Sequence, residues 1–359
     1  MISKKLKAIF KLKMNREIII SNRKIGLSHD PLVIAEIGIN HGGSLEVAKN
    51  MAKKAIDSGV DIVKHQTHIV EDEMSSQAKK EKISYIGKSI YELMEDCALS
   101  QDEEIELKKF VEDKGCIYMS TPFSRAASNF LNEIDVPAFK IGSGECNNYP
   151  LIKHICSFGK PIILSTGMND IDSVKTSVDI MESFNIDYAL LHTTNIYPTP
   201  HHLVRLGSIK ELYDNFPRAV IGLSDHTTDN LACFGGVALG ASILERHFTD
   251  NMKREGPDIE NSMDPKAAKE LVEGAKKLAL ARGGKKGPIE EERDVINFAY
   301  ASVVSIKDIK KGEIFDMKNI WVKRPGDGPF FAKDFESILG KKAVRDIKKD
   351  QHIQKDDLK

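Results

Sequence analysis

PLVIAEIGINHGGSLEVAKNMAKKAIDSGVDIVKHQT (31–67) decides the fold, because it holds one complete strand, helix and strand. LVIAEIG (32–38) and DIVKHQT (61–67) are short apolar, β-rich runs. Between them SLEVAKNMAKKAIDSG (44–59) repeats its apolar residues at helical spacing, with Ser44 as its cap and Gly59 as its stop. Strands joined through a helix run parallel, since such a crossover returns the chain to the same end of the sheet.

The unit recurs along the chain. IYMST (117–121), AFKIGSG (138–144), PIILSTG (161–167), YALLHTT (188–194), AVIGLSDH (219–226) and SILERHF (242–248) complete a set of eight strands, separated by amphipathic segments such as DEEIELKKFVEDKG (102–115). Eight βα units in about 250 residues predict a (β/α)8 barrel, an α/β fold. A doubly wound sheet would carry a G-x-G-x-x-G turn after its first strand, and none is present.

Residues 1–282 are therefore expected to form the barrel, with 1–30 as an extension and leading segment. The basic start is interrupted by lysines and lacks a small-residue cleavage site, so it does not read as a signal peptide, and Met14 offers a second start. HIVEDEMSSQAKKEKISYIGKS (68–89) is a polar insertion on the C-terminal side of the second strand, where it would act as a lid. Residues 283–296 are rich in Gly and charge and read as a linker. A small β-rich domain is expected over 297–359, where DIKKGEIFDMKNI (308–320) and DIKKDQHIQKDDL (346–358) form a pseudo-twofold repeat.

Composition narrows the function. With 41% hydrophobic and 29% charged residues in 359, the chain is globular, neither disordered nor coiled coil. Lys plus Arg number 52 against 53 Asp plus Glu, so no overall field recruits nucleic acid or a membrane surface. No apolar run reaches 18 residues, so no membrane span is expected. Five scattered cysteines without a C-x-x-C pair fit reduced thiols in a cytoplasmic protein.

Barrel enzymes build their sites at the C-terminal strand ends. Those ends carry Glu36, Asn40 and His41; Lys64, His65 and Gln66; Thr121; Lys140, Ser143 and Glu145; Ser165; Asn195 and Tyr197; Ser224 and His226; Glu245 and His247. Two histidines at neighbouring strand ends, with Glu245 nearby, suit a divalent cation of the manganese, magnesium or iron type. Lys64 and Lys140 interrupt apolar strands and call for an anionic partner, an internal ion pair with Glu36, or Schiff-base chemistry. With the ring of hydroxyls they suit a substrate bearing phosphate or carboxylate.

KHQTHIVEDEMS (64–75), STPFSRAA (120–127), KIGSGECNNYPLIK (140–153), ILSTGMN (163–169), TTNIYPTP (193–200), GLSDHTTDNLA (222–232), LERHFTD (244–250) and WVKRPGDG (321–328) closely resemble the bacterial N-acetylneuraminate (sialic acid) synthases. The resemblance implies a barrel followed by an antifreeze-like (SAF) domain, and condensation of phosphoenolpyruvate with N-acetylmannosamine to N-acetylneuraminate and phosphate. It implies a divalent metal, manganese foremost with magnesium or cobalt as substitutes, and a domain-swapped homodimer. His226 and His247 then correspond to metal ligands. Lys64, Thr121, Lys140, Ser143, Ser165, Asn195 and Ser224 correspond to phosphoenolpyruvate contacts. Glu36, Gln66, Tyr197 and Asp258 correspond to sugar contacts, Arg324 to a residue reaching the partner's barrel, and Glu145 and Glu245 to acidic groups lining the site. Paralogues making legionaminic or pseudaminic acid are the alternative.

Overall fold

A computed structural model describes residues 16–80, 89–256 and 258–359. The chain divides at Gly283 and Gly284 into two compact units.

In the first unit a hairpin, β1 (Glu17–Ile20) and β2 (Arg23–Gly26), precedes eight parallel strands. These are β3 (Leu32–Gly38), β4 (Ile62–Thr67), β5 (Ile117–Pro122), β6 (Phe139–Ile141), β7 (Ile162–Ser165), β8 (Tyr188–Thr193), β9 (Val220–Asp225) and β10 (Ile243–His247). The hydrogen-bonded order runs β5-β4-β3-β10-β9-β8-β7-β6, and β5 and β6 lie side by side to close the ring. This is the expected (β/α)8 barrel. The helix Leu45–Asp57 begins at Ser44, whose hydroxyl accepts the Val47 amide, and ends before Gly59 at φ +88°. Its buried face is Ala48, Met51, Ala52 and Ala55, turned to the layer between barrel and helices.

Period-two alternation sets the barrel's interior. Ile34, Ile62, Met119, Ala138, Ile163, Leu191 and Ile243 form a dry floor, against which the hairpin packs Ile18, Ile20 and Ile25. Two residues further along each strand, on the same inward face, stand Glu36, Lys64, Thr121, Lys140, Ser165, Thr193 and Glu245. The hairpin and floor close the N-terminal end, and the polar ring lies toward the C-terminal mouth. Gly222 fits the floor of β9 because a methyl there would meet Leu191 Cδ2 and the Ile243 carbonyl at 2.5 Å.

The expected lid begins with short helices at Val70–Glu73 and Ser76–Lys79, and its residues 81–88 lie outside those described. So do residues 1–15, which include the basic extension. Among the described residues, no helix is long and apolar enough to cross a membrane. The five cysteines are buried.

The second unit carries the helix Arg293–Ala299, the antiparallel pair β11 (Ser302–Ser305) and β12 (Ile320–Lys323), and its own core around Val303, Phe315, Ile320, Ile338 and Ile353. The two DIKK segments pair with each other. Ile309 and Ile347 form a reciprocal bridge, Asp308 accepts from the Lys349 amide, and Asp346 accepts from the Lys311 amide. Each aspartate also meets the other copy's lysine, Lys348 at 2.8 Å and Lys310 at 3.0 Å. The sequence repeat is thus a spatial one.

Candidate active site

The polar ring encloses a cavity of about 300 Å³. Its lining includes Glu36, Lys64, Gln66, Thr121, Lys140, Ser143, Glu145, Ser165, Asn195, Tyr197, Ser224, His226, Glu245 and His247. Strand register brings them together: Glu36 pairs with Lys64 on one side and His247 on the other, and Glu245 pairs with Ser224. Asp258 stands beside the ring, its Oδ2 3.7 Å from His247 Nδ1. Arg324 is exposed in the second unit. It makes no ion pair with Asp327 or Asp334 among the described residues, where Asp327 faces His352 and Asp334 accepts the Phe331 amide.

Two ammonium groups and two carboxylates share the cavity floor. Lys64 contacts Glu36 directly, donates to Thr121 Oγ1 at 3.0 Å and lies 4.0 Å from Glu245. Lys140 donates to Ser165 Oγ at 2.7 Å and lies 3.7 Å from Glu245. The ion-pair reading of Lys64 therefore holds in this structure. Burial lowers Lys64 to about 7, with Glu245 offsetting part of the loss, and lowers Lys140. Burial alone would raise Glu245, but Lys140 and Lys64 hold it below the usual carboxylate range. Glu145, farther up the wall, is raised by burial and by nearby Glu73.

Several buried acceptors remain without hydrogen-bond partners, Glu36 Oε1, Glu245 Oε2, Glu145 Oε2 and Asn195 Oδ1, while Glu36 Oε2 is the oxygen that meets Lys64. Such an atom costs about 1–3 kcal/mol until a donor meets it. Orphaned oxygens ask for hydroxyl or amide donors, while the ammonium N–H groups and hydroxyls can donate to phosphate or carboxylate oxygens. One small molecule bearing phosphate or carboxylate and a second rich in hydroxyls satisfy both demands.

His226 and His247 face the cavity with ring centroids 5.5 Å apart. His226 Nδ1 donates to the Thr194 carbonyl at 2.8 Å, leaving Nε2 with its lone pair toward the site. Burial first, then the facing histidine, lowers His226 to about 4; burial, then Lys64, lowers His247 to about 3. Both imidazoles are neutral at neutral pH, and His247 Nδ1 has no hydrogen-bond partner. Among the described residues no three His, Cys, Asp or Glu side chains converge to hold an ion. The pair fits a divalent metal that draws its other ligands from substrate or water.

Two other histidines at the strand ends do different work. His65 alternates with Lys64 and so faces outward, into a buried network. His41 Nε2 lies 3.1 Å from His65 Nε2, His65 Nδ1 lies 3.5 Å from Glu104, and Tyr118 donates to Glu104 at 2.8 Å. Asn40 donates to the Phe248 carbonyl and to Ser262, fastening the first loop. Phe123, Gly142, Gly144, Met168 and Thr193 also line the cavity and were not singled out from the sequence. Met168, at φ +63° and 70% exposed, is a large apolar residue in a strained turn at the rim.

A parallel barrel closed at its N-terminal end, with cations, carboxylates and neutral imidazoles gathered at the mouth, defines a barrel enzyme for small polar substrates. The chain belongs to the NeuB family, whose model matches residues 51–287, and its C-terminal part matches the SAF domain over 300–359. It is a NeuB-family synthase. A protein of Methanocaldococcus jannaschii is 39% identical over 95% of this chain and 98% of its own length. The N,N'-diacetyllegionaminic acid synthase of Campylobacter jejuni is 36% identical over 90% and 98%. The N-acetylneuraminic acid (sialic acid) synthetase of Leptospira borgpetersenii, solved with citrate, superposes with a TM-score of 0.72 at 30% identity over 79% of this chain and 96% of its own.

Proposed function

We propose that the protein condenses phosphoenolpyruvate with N-acetylmannosamine and water, releasing N-acetylneuraminate and phosphate. The observation that carries this reading is the divided cavity, with Lys64, Lys140 and hydroxyls for an anion beside orphaned carboxylate and amide oxygens for a polyol.

In this reading Lys64, Lys140, Thr121, Ser143, Ser165, Ser224 and Asn195 hold the phosphate and carboxylate of phosphoenolpyruvate. Gln66, Tyr197, Asp258 and Glu36 orient the open-chain sugar so that its C1 carbonyl faces C3 of the enol. A divalent metal held by His226 and His247, manganese foremost with magnesium or cobalt as substitutes, supplies Lewis acidity toward the sugar's carbonyl. Carbon–carbon bond formation leaves C2 electron-poor and water adds there. Glu36 takes a proton from that water and passes it to the oxygen of the former sugar carbonyl; the C2 hydroxyl then loses its proton as the C2–O bond to phosphate breaks, giving the ketone and expelling phosphate with its bridging oxygen. Glu245 favours the charged form of both lysines, and Glu145 completes the acidic wall. Arg324 acts from the second subunit of a homodimer.

A second reading is favoured by the 36% identity with the Campylobacter jejuni legionaminic acid enzyme: a diacetamido trideoxy sugar replaces N-acetylmannosamine. Phosphate release, measured with manganese and phosphoenolpyruvate against each sugar in parallel, decides between them. Faster turnover of the diacetamido sugar would replace the first reading, and no phosphate with any of these sugars would overturn both.

A further inference from the structure

Gln66 lines the cavity, but its amide is gripped from outside it. Gln66 Oε1 lies 3.2 Å from His68 Nε2, and the other ring nitrogen, Nδ1, lies 2.8 Å from Glu73 Oε2. His68 is buried and stacks on Phe123, with centroids 4.6 Å apart and planes 10° from parallel. The short helix that carries Glu73 is itself anchored, because Asp72 accepts the Ala126 amide at 2.7 Å. The amide's other end is directed elsewhere: Gln66 Nε2 and Glu36 Oε1 both come within 3.2 Å of where a methyl on Gly38 would stand. Gly38, at φ +46°, leaves the space into which they converge.

An amide has two faces of opposite character, a carbonyl that accepts and an NH2 that donates, and a free glutamine can present either. Glu73 fixes which ring nitrogen of His68 carries the proton, and His68 Nε2 in turn holds one end of the Gln66 amide, so the other end is left for the cavity. We propose that Glu73 and His68 are positioning residues that fix Gln66 in a single orientation, so that the site selects a sugar group of one hydrogen-bonding character at that point. This rests on the assignment of Gln66 to the sugar side of the site. It adds a specificity device assembled from the first turns of the insertion that follows β4.

Steady-state kinetics of Gln66→Ala, His68→Leu, Glu73→Ala and the double variant Gln66→Ala/His68→Leu test it, with both substrates varied. The expected result is a sugar KM raised about 10-fold in each single variant, as loss of one oriented hydrogen bond requires. The phosphoenolpyruvate KM should stay within about twofold, and the double variant should be no worse than Gln66→Ala alone. A raised sugar KM in Gln66→Ala with wild-type values in His68→Leu and Glu73→Ala would overturn the proposal and leave the function standing. Equal increases in both KM values would overturn it too, marking a general loosening. An unchanged sugar KM in Gln66→Ala would instead remove Gln66 from the sugar site. Should His68→Leu fail to fold, Glu73→Ala, at a partly exposed position, decides alone.

Discussion

Replacing Gly167 by alanine should disable the anion side of the cavity while sparing the fold. A methyl at Gly167 would stand 1.8 Å from Asn195 Oδ1 and 2.9 Å from Ser143 Oγ, the hydroxyl that accepts the Gly167 amide at 3.1 Å. Both neighbours must move. The backbone does not need glycine, because Gly167 is absent from the positive-φ positions. Stability should therefore change little: a tolerated Gly to Ala change gains about 0.4–1 kcal/mol through the unfolded chain, and forcing Asn195 off its rotamer costs about 0.5–1.5 kcal/mol. The net lies within about 1 kcal/mol, a melting shift of about 2–4 °C at most for a domain of this size. Function should change far more. A hydrogen bond to a charged group contributes about 1.5–3 kcal/mol, so losing the contact proposed between Asn195 and phosphoenolpyruvate should lower kcat/KM about 10- to 150-fold. Phosphate release at varied phosphoenolpyruvate, alongside a thermal melt, measures both quantities. Adding Asn195→Ala to Gly167→Ala should cost little more. Wild-type kcat/KM in a variant that melts normally would show that Asn195 and Ser143 do not touch this substrate.

Chelation should abolish activity and manganese restore it, and His226→Ala or His247→Ala should abolish stoichiometric metal uptake measured by atomic emission; full activity in excess chelator would remove the metal from the reaction. Arg324→Ala and Glu36→Ala chains should each be nearly inactive alone and regain activity when refolded together, since one mixed site carries both intact residues; no recovery in verified mixed dimers would place Arg324 outside the partner's site. Glu104 is buried, which alone would raise it, but His65, Thr67 and Tyr118 hold it net below its ordinary value of 4.5. Its folded value being depressed, its contribution to stability is present above about pH 4.5 and is lost as pH falls through the lower folded value. Glu104→Gln should therefore flatten the fall in melting temperature on acidification below about pH 4.5; an unchanged acid slope would show that Glu104 is not the group responsible.

The barrel and most of its mouth were legible in the sequence, because both follow from short-range periodicity. Alternation of period two puts Ile34 and Glu36, Ile62 and Lys64, and Ile243 and Glu245 on one inward face, apolar below and polar above. Capping by Ser44 and a stop at Gly59 fix a helix within one stretch of text. What only the tertiary structure decided lies in contacts between residues far apart in the chain. Lys64 meets Glu36 and the floor's charges balance internally, which no spacing along one strand specifies. His65 and His41, read beside Gln66 and Glu36 as mouth residues, are drawn into a network whose carboxylate, Glu104, sits on a helix 39 positions beyond His65. Which nitrogen of His226 is free depends on the Thr194 carbonyl of the neighbouring strand's loop, 32 positions earlier. Hydrogen-bond direction and charge pairing act across strands and helices brought together only by folding, so residue types announce the chemistry and the packed chain assigns each atom its partner.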